Sequence, residues 1–254
     1  KEAFFFVLLQ VRRCVIGVID LANNNISLRG KNVMGLEDFS KEEISLVLET
    51  AKEMKNIIHR DIKKVPALRG KAIVTLFYEP STRTRTSFEL AGKYLGADVV
   101  NISASLSSIV KGESLRDTLY TIEAMGADAI VMRHKAEGAA AYASKVVSPV
   151  ILNAGDGAHA HPSQALLNLF TIQQHKGCLA GLKVAILGDV LHSRVARSDI
   201  YGMTRMGMEV HLAGPNTLMP RFLDEIPGVF IHERIEDAIA DADVIEVLRI
   251  QLER

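Results

Sequence analysis

The sequence predicts an α/β fold of two domains, each a mainly parallel sheet flanked by helices, joined by one crossing helix. Short apolar runs such as 72–77 recur along the chain, and they are typical of strands buried on both faces of a parallel sheet. Segments of helical spacing separate these runs, as right-handed βαβ units require. A long helical run at 163–175 then leads from the first series of strands to the second.

The elements follow one another regularly from residue 37. Ser40 and Glu43 form a capping-box signature at the start of the first helix. Strands are predicted at 72–77, 98–103, 127–132 and 149–152, and then at 184–187, 210–213, 229–232 and 244–248. Further helices are predicted near 85–95, 115–125 and 137–146 and between the later strands. We expect a first domain at 28–162, a second at 163–254, and ligands at the carboxyl ends of the strands in the cleft between them.

Composition narrows the function classes. Thirty basic residues balance thirty acidic ones, so no global field attracts nucleic acid or a membrane, and neither partner is predicted. Cys14 and Cys178 are too few for a disulfide framework and indicate a reducing, cytoplasmic setting. Neither a zinc-ligand spacing nor a glycine-rich nucleotide motif occurs. The apolar run at 4–11 is too short to span a bilayer, and residues 1–27 are assigned no function.

The most informative segment is 78–89, YEPSTRTRTSFE, at a predicted strand-to-helix turn. Unpaired backbone N–H groups and the helix dipole favour an anion at such a turn, and arginine is suited to phosphate. The general alternative is a capped helix with two surface arginines. The string S-T-R-T-R-x-S-F-E resembles the carbamoyl-phosphate signature of the aspartate/ornithine carbamoyltransferase family. That resemblance, which covers 28–254, implies that carbamoyl phosphate is bound by Ser81, Thr82, Arg83 and Thr84.

Two later clusters complete this part of the resemblance. Arg133 ends a predicted strand, where a lone arginine is commonly a surface charge, but it matches the family position that holds the substrate carbonyl oxygen. His159 and His161 could suggest a metal pair, yet two ligands alone make a poor site. The element His161-Pro-x-Gln164 instead resembles the family's H-P-[ST]-Q. It implies that His161 donates to the carbamoyl oxygen and that Gln164 accepts from the carbamoyl NH₂; N-capping by Ser163 could coexist with this role.

The segment before the predicted helix at 115 is a polar loop, and by itself it reads as a solvated loop with a capping box. In the aspartate branch of the family, the matching loop inserts a serine and a lysine into the neighbouring subunit's active site. Ser107 and Lys111 occupy those positions here. The resemblance therefore implies a homotrimer with shared active sites.

The second half indicates the acceptor. The strings GDVLHSRVARS at 188–198 and LRIQLER at 248–254 resemble aspartate-branch motifs. They imply that L-aspartate is bound by Arg194, Arg249 and Gln251, together with Lys111. A dicarboxylate needs cations, and two arginines from separate strand ends supply them.

The resemblance implies that carbamoyl phosphate and L-aspartate give N-carbamoyl-L-aspartate and phosphate, in de novo pyrimidine biosynthesis. The resemblance also implies that the leaving phosphate can take the proton itself, and neither metal nor organic cofactor is needed. The implied catalytic residues are Arg83, Thr84, Lys111, Arg133 and His161. The alternatives are ornithine as acceptor, or a non-catalytic fragment that only binds phosphate ligands. Regulatory chains are a possible partner of this family.

Two departures from the family pattern bear on activity. Glu246 interrupts an apolar strand, where a buried carboxylate is costly unless paired. Family members also continue for some distance beyond the motif at 248–254. We therefore expect a chain that ends at Arg254 to bind carbamoyl phosphate better than it turns over.

Overall fold

The computed structural model describes residues 27–103 and 112–250. Within these ranges the chain forms two four-stranded sheets, all of whose strands pair in parallel, with helices on their faces. This confirms the predicted fold class. Residues 1–26 lie outside the described ranges, so the interpretation of 1–27 lies almost wholly outside them. Ser107, Lys111 and Gln251, whose roles the sequence predicts, also lie outside these ranges.

The first sheet has the strand order β2-β1-β3-β4. Its strands are Ala72–Phe77 (β1), Asp98–Ser103 (β2), Ala129–His134 (β3) and Val150–Asp156 (β4). Four helices accompany it: Lys41–Ile58 (α1), Thr82–Tyr94 (α2), Leu115–Ala124 (α3) and Ala139–Val146 (α4). The predicted capping box of α1 is present, because Ser40 accepts from the Glu43 backbone N–H and Glu43 accepts from that of Ser40.

The second sheet follows the crossing helix Pro162–Lys176 (α5) and has the order β7-β6-β5-β8. Its strands are Lys183–Leu187 (β5), Glu209–Ala213 (β6), Val229–His232 (β7) and Val244–Val247 (β8). Helices Arg194–Arg205 (α6) and Ile235–Ile239 (α7) connect them, with short 3₁₀ turns at Asn216–Leu218 and Leu223–Glu225, and another at Pro66–Leu68 in the first half. Among the described residues, no helix is long and apolar enough to cross a bilayer.

Burial explains why β1 reads as a continuous apolar run. Ile73 and Phe77 face a large cluster that also contains residues of α1, α5 and the second sheet, whereas Val74 and Leu76 face a smaller cluster with α3 and α4. Both faces of the strand are therefore covered, as in other parallel sheets. The larger cluster runs without interruption through Leu169 of α5, so one apolar core supports both sheets.

Two element boundaries differ from the prediction in a way that affects the site. Helix α2 begins at Thr82 and not near residue 85, so the hydroxyls of the signature lie in its first turn. Strand β4 continues to Asp156 because its pairing with β3 resumes, after an irregularity, between His134 and Asp156. Asn153, Gly155 and Asp156 interrupt the apolar run in the second half of β4, so apolar patterning could not indicate where this strand ends.

Candidate functional site

A cleft of about 570 Å³ lies where the carboxyl ends of β1, β3, β4, β5 and β8 meet. Eight residues predicted for the site line it: Ser81, Arg83, Thr84, Arg133, His161, Gln164, Arg194 and Arg249. Thr82 is exposed and does not line the cleft. Residues from both halves of the chain thus meet at one place, as expected for strand ends of α/β sheets.

The signature forms the amino end of α2. Ser81 occupies the N-cap position, but its side chain makes no capping hydrogen bond with the described residues. Its hydroxyl therefore remains available to a ligand, together with the first-turn N–H groups, which have no partner within a helix. Arg83 is exposed and lines the cleft, so its guanidinium adds a full positive charge to that of the helix dipole.

Two further arginines that line the cleft share one carboxylate. Oε2 of Glu79 lies 3.3 Å from Nε of Arg133 and 3.0 Å from Nη2 of Arg194. Backbone carbonyls accept from the same guanidinium groups: Arg133 donates to Ala154 at 3.2 Å and Arg194 to Gly157 at 3.1 Å. Because one carboxylate neutralises only one of two cations, this pair retains net positive charge toward the cleft.

The close approach of these arginines to the end of β4 requires Gly155. This residue has φ +116°, a conformation that other residues rarely adopt. A Cβ atom there would lie 3.1 Å from the Arg194 guanidinium and 3.4 Å from Nη1 of Arg133. Any side chain at 155 would therefore crowd both guanidinium groups, besides straining the backbone.

His161 occupies the N-cap position of α5 without a side-chain capping bond, and it is buried where it lines the cleft. Its backbone N–H donates to Oγ of Ser198 at 2.8 Å, which ties α5 to α6. Burial and the charges of Arg133 and Arg194 lower the pKa of the ring to about 3, so the imidazole is neutral at physiological pH. When the Ser163 hydroxyl, 3.2 Å away, donates to Nδ1, the ring proton lies on Nε2, which is then a neutral donor.

The suggested N-cap role of Ser163 is wrong. The N-cap residue of α5 is His161, and Ser163 is two residues further on, inside the first turn. Its hydroxyl contacts the His161 ring instead of a backbone N–H. Pro162 at the first helical position explains the shift, because proline favours that place and fixes where the helix begins.

The other histidine of this loop is held between two carboxylates. Nδ1 of His159 lies 3.1 Å from Asp156, and Nε2 lies 3.3 Å from Glu37. These hydrogen bonds, to Asp156 first and Glu37 second, raise the pKa of His159 to about 10. Burial opposes ionisation of Asp156, but the bonds from His159 and from Asn153 outweigh it and lower the pKa of that carboxyl. Glu37, Asp156 and His159 thus form an ion-paired cluster, which we call the ionic bracket.

We expect His159→Ala to destabilise the fold at pH 6 by about 1.5–3 kcal/mol, the usual contribution of hydrogen bonds to charged groups. The folded-state pKa is raised, so the stabilisation is complete below the ordinary value of 6.5 and is lost as pH rises through about 10. Melting temperatures of both proteins from pH 6 to 10.5 should therefore converge. The matched control is His59→Ala, which makes the same change at an exposed position after α1 and should leave the melting temperature close to that of the wild type. If the difference in melting temperature between His159→Ala and the wild type did not change with pH, the ionic bracket would not depend on the charge of His159.

Two parts of this site were missed from the sequence. Glu79 lies in the segment 78–89, two residues before the signature begins at Ser81. Two largely buried arginines require a counter-charge, so Glu79 could have been suspected. The contact of Glu37 with His159 joins distant parts of the chain, and no local pattern indicates it. Across residues 27–103 and 112–250, His, Cys, Asp and Glu form no group of three arranged to hold a metal ion.

A second cavity of about 680 Å³ adjoins the cleft and shares Arg133, Arg194 and Arg249 with it. Lys135 and His192 add further polar lining, and Glu79 and Glu137 supply negative charge. The arginines therefore stand between two connected spaces. A ligand with two anionic ends can contact this group of cations from either side.

Comparison with known proteins gives a consistent result. Residues 31–174 match the family model described as aspartate/ornithine carbamoyltransferase, carbamoyl-P binding domain. The aspartate carbamoyltransferase catalytic subunit of Pelotomaculum thermopropionicum is 61% identical over 229 residues, which are 90% of this chain and 74% of that protein.

Solved structures agree with the sequence relatives. Aspartate transcarbamoylase from Trypanosoma cruzi, in complex with carbamoyl aspartate and phosphate, superposes with a TM-score of 0.82 at 35% identity, covering 89% of this chain and 76% of that one. The catalytic subunit of M. Jannaschii aspartate transcarbamoylase gives a TM-score of 0.79 at 40% identity, covering 88% and 75%. The similarity thus extends over both sheets.

Proposed function

The chain belongs to the aspartate/ornithine carbamoyltransferase family, and on that premise we propose that it transfers the carbamoyl group of carbamoyl phosphate to L-aspartate. The products are N-carbamoyl-L-aspartate and phosphate, and the reaction serves de novo pyrimidine biosynthesis. The observation that carries the proposal is the convergence of Arg83, Arg133, Arg194 and Arg249 on one cleft. Both substrates are anionic, and this cluster supplies a separate cation for each anionic group.

Carbamoyl phosphate is proposed to bind with its phosphate at the amino end of α2. Ser81 and Thr84 offer hydroxyl donors there, Thr82 offers its first-turn backbone N–H, and Arg83 offers a charged fork. Ser107 and Lys111 complete this site by resemblance to the family. The carbamoyl end then points to Arg133, His161 and Gln164, which line the same cleft.

The chemical step places negative charge on two atoms. The aspartate nitrogen attacks the carbonyl carbon, the bond to the phosphate oxygen breaks, and the departing phosphate takes the proton released by the amine. Arg133 and neutral His161 donate to the carbonyl oxygen as its charge grows, while Arg83, Thr84 and Lys111 stabilise the leaving phosphate. Arg133 and His161 are held by other contacts before substrate arrives, which is the condition for electrostatic catalysis.

Aspartate is proposed to bind through its two carboxylates. Arg194 begins α6, Arg249 follows β8, and both line the same cleft. Gln251 and Lys111 add contacts by resemblance. Glu79 already accepts from Arg194 at 3.0 Å, so an aspartate carboxylate competes with this internal one. An ornithine side chain would bring an ammonium group against the arginines, which like charge disfavours.

The test is a carbamoylation assay with aspartate and ornithine as rival acceptors. We expect kcat/KM to favour aspartate by roughly 10³-fold or more, since a site that pairs charges rejects a substrate of opposite sign. Succinate, which has both carboxylates but no amine, should inhibit competitively against aspartate. Preferential carbamoylation of ornithine would refute the acceptor. Carbamoyl-phosphate binding without any transfer would favour the alternative of a non-catalytic fragment.

Assembly and organisation are further parts of the proposal. We propose a homotrimer in which Ser107 and Lys111 enter a neighbour's site, with regulatory chains as possible additional partners and a cytoplasmic location. The carbamoyl-phosphate domain is placed at 28–162 and the aspartate domain at 163–254. This division is supported by the ligands assigned above, since the phosphate-binding residues all precede α5.

A further inference from the structure

A row of polar side chains leads from the cleft into the interior between α5 and α6. Nε2 of Gln164 donates to Oδ1 of Asn168 at 3.0 Å, and Nδ2 of Asn168 donates to Oδ2 of Asp199 at 2.9 Å. Gln164, Asn168 and Glu246 line the cleft, whereas Asp199 is fully buried. Asp199 thus lies at the inner end of the row, where an apolar residue would be expected, and Glu246 is its charged neighbour.

The buried end of this row determines which side chain donates and which accepts in each of its hydrogen bonds. A side-chain amide can turn over and exchange its donor for its acceptor, so two amides alone have no preferred direction. The carboxylate oxygen of Asp199 can only accept, and Asn168 must therefore offer its NH₂ to Asp199 and its carbonyl oxygen to Gln164. Gln164 must in turn donate, which leaves its Oε1 free to face the cleft.

Glu246 ensures that the Asp199 oxygen facing Asn168 remains a hydrogen-bond acceptor. Burial and the neighbouring Glu246 charge raise the pKa of Asp199, and burial raises that of Glu246 to about 6, so the pair tends to retain one proton. Oδ1 of Asp199 makes no hydrogen bond with the described residues, and it is the oxygen left for a proton shared with Glu246. Oδ2 then accepts from Asn168 whether or not the pair holds a proton.

We propose that Asp199 is a specificity-determining positioning residue, which acts through Asn168 to hold Gln164 with its Oε1 toward the substrate as an acceptor for the carbamoyl NH₂. The inference rests on the proposed function, because it requires a carbamoyl group at Gln164. Its consequence is discrimination: a ligand with a methyl group in place of NH₂ cannot donate to Oε1 and leaves that oxygen unpaired. Acetyl phosphate is such a ligand.

The measured quantity is the ratio of the Kd of acetyl phosphate to the Kd of carbamoyl phosphate. Asp199→Leu removes the acceptor, frees Asn168 and Gln164 to turn over, and should lower this ratio about threefold to tenfold, the value of one hydrogen bond. Asn168→Leu interrupts the row at its middle and should do the same if Asp199→Leu fails to fold. Asp199→Asn is the matched control, since its NH₂ can donate to Glu246 while its carbonyl still accepts from Asn168.

The decisive variant exchanges the two groups. In the double substitution Asn168→Asp and Asp199→Asn, the carboxylate at 168 accepts from Gln164 directly, so the direction of the row is preserved and the wild-type ratio should return. The inference would be overturned if the Kd ratio stayed at the wild-type value in Asp199→Leu and Asn168→Leu. It would also be overturned if the Kd ratio of the double variant were as low as in these two single variants. Carbamoyl-aspartate formation by the wild type, assayed alongside, tests the proposed function separately from the binding ratio.

Discussion

Replacing Arg83 with alanine is expected to lower kcat by about 10²–10³-fold while leaving the fold intact. The guanidinium lines the cleft and is exposed, so its removal creates no cavity in the core. The loss falls on the transition state, because the leaving phosphate gains charge as the carbon–oxygen bond breaks. Initial rates of carbamoyl-aspartate formation measure the effect, and a circular-dichroism melt measures the fold.

The control for this substitution is Arg69→Ala, which makes the same chemical change at an exposed position between the 3₁₀ turn and β1. It should leave both rate and melting temperature within error of the wild type. Near-normal turnover by Arg83→Ala would remove the arginine from the mechanism. A lowered melting temperature for Arg83→Ala alone would mean that it supports the fold instead.

The second large effect is a recovery of activity on mixing two inactive proteins. If Lys111 acts in a neighbour's site, Arg83→Ala and Lys111→Ala chains in one trimer create a site with neither defect. Each mixed trimer gains one such site, and random exchange of equal amounts leaves roughly one site in four intact for a closed three-fold ring. Activity should therefore rise from near zero to about that fraction.

Subunit exchange must be verified before the result is interpreted, for example with one chain carrying a charge tag that separates mixed trimers. The matched control mixes Arg83→Ala with an Arg133→Ala chain, whose lost arginine belongs to the same side of the site. That mixture should stay inactive. No recovery in verified mixed trimers would show that each site is built within a single chain.

The strands could be predicted because burial on both faces leaves a direct trace in the sequence. Strands β1, β2 and β7 begin and end where predicted, and β1 shows the trace most clearly, because it is buried from Ile73 to Phe77. The end of β4 could not be predicted, because its polar residues are placed by pairing with β3 and by the loop that follows. Local propensity carries no information about such contacts.

The candidate site likewise has a part that the sequence predicts and a part that it does not. The donors that line the cleft lie in short motifs, and such motifs can be read directly from the order of the residues. The groups that hold those donors come from distant positions: Glu79 between two arginines, Glu37 beside His159 and Asp199 beneath Asn168. A motif specifies which side chains face the cleft, whereas its supporting contacts depend on how the sheets and helices pack. Glu246 shows this most clearly, because its neighbour Asp199 lies on another element.

The beginning of the described chain has a consequence for synthesis on the ribosome. Val33 pairs with Leu152 beside β4, and the Val33 N–H and carbonyl bond to Ile151 and Asn153. Translation proceeds at about 5–20 residues per second, so this early segment waits roughly 6–24 s for its partner strand. During that interval its apolar side chains, Leu36 and Phe39 among them, have no completed sheet to cover them. Nascent chains of this protein should therefore depend on chaperones until β4 has emerged.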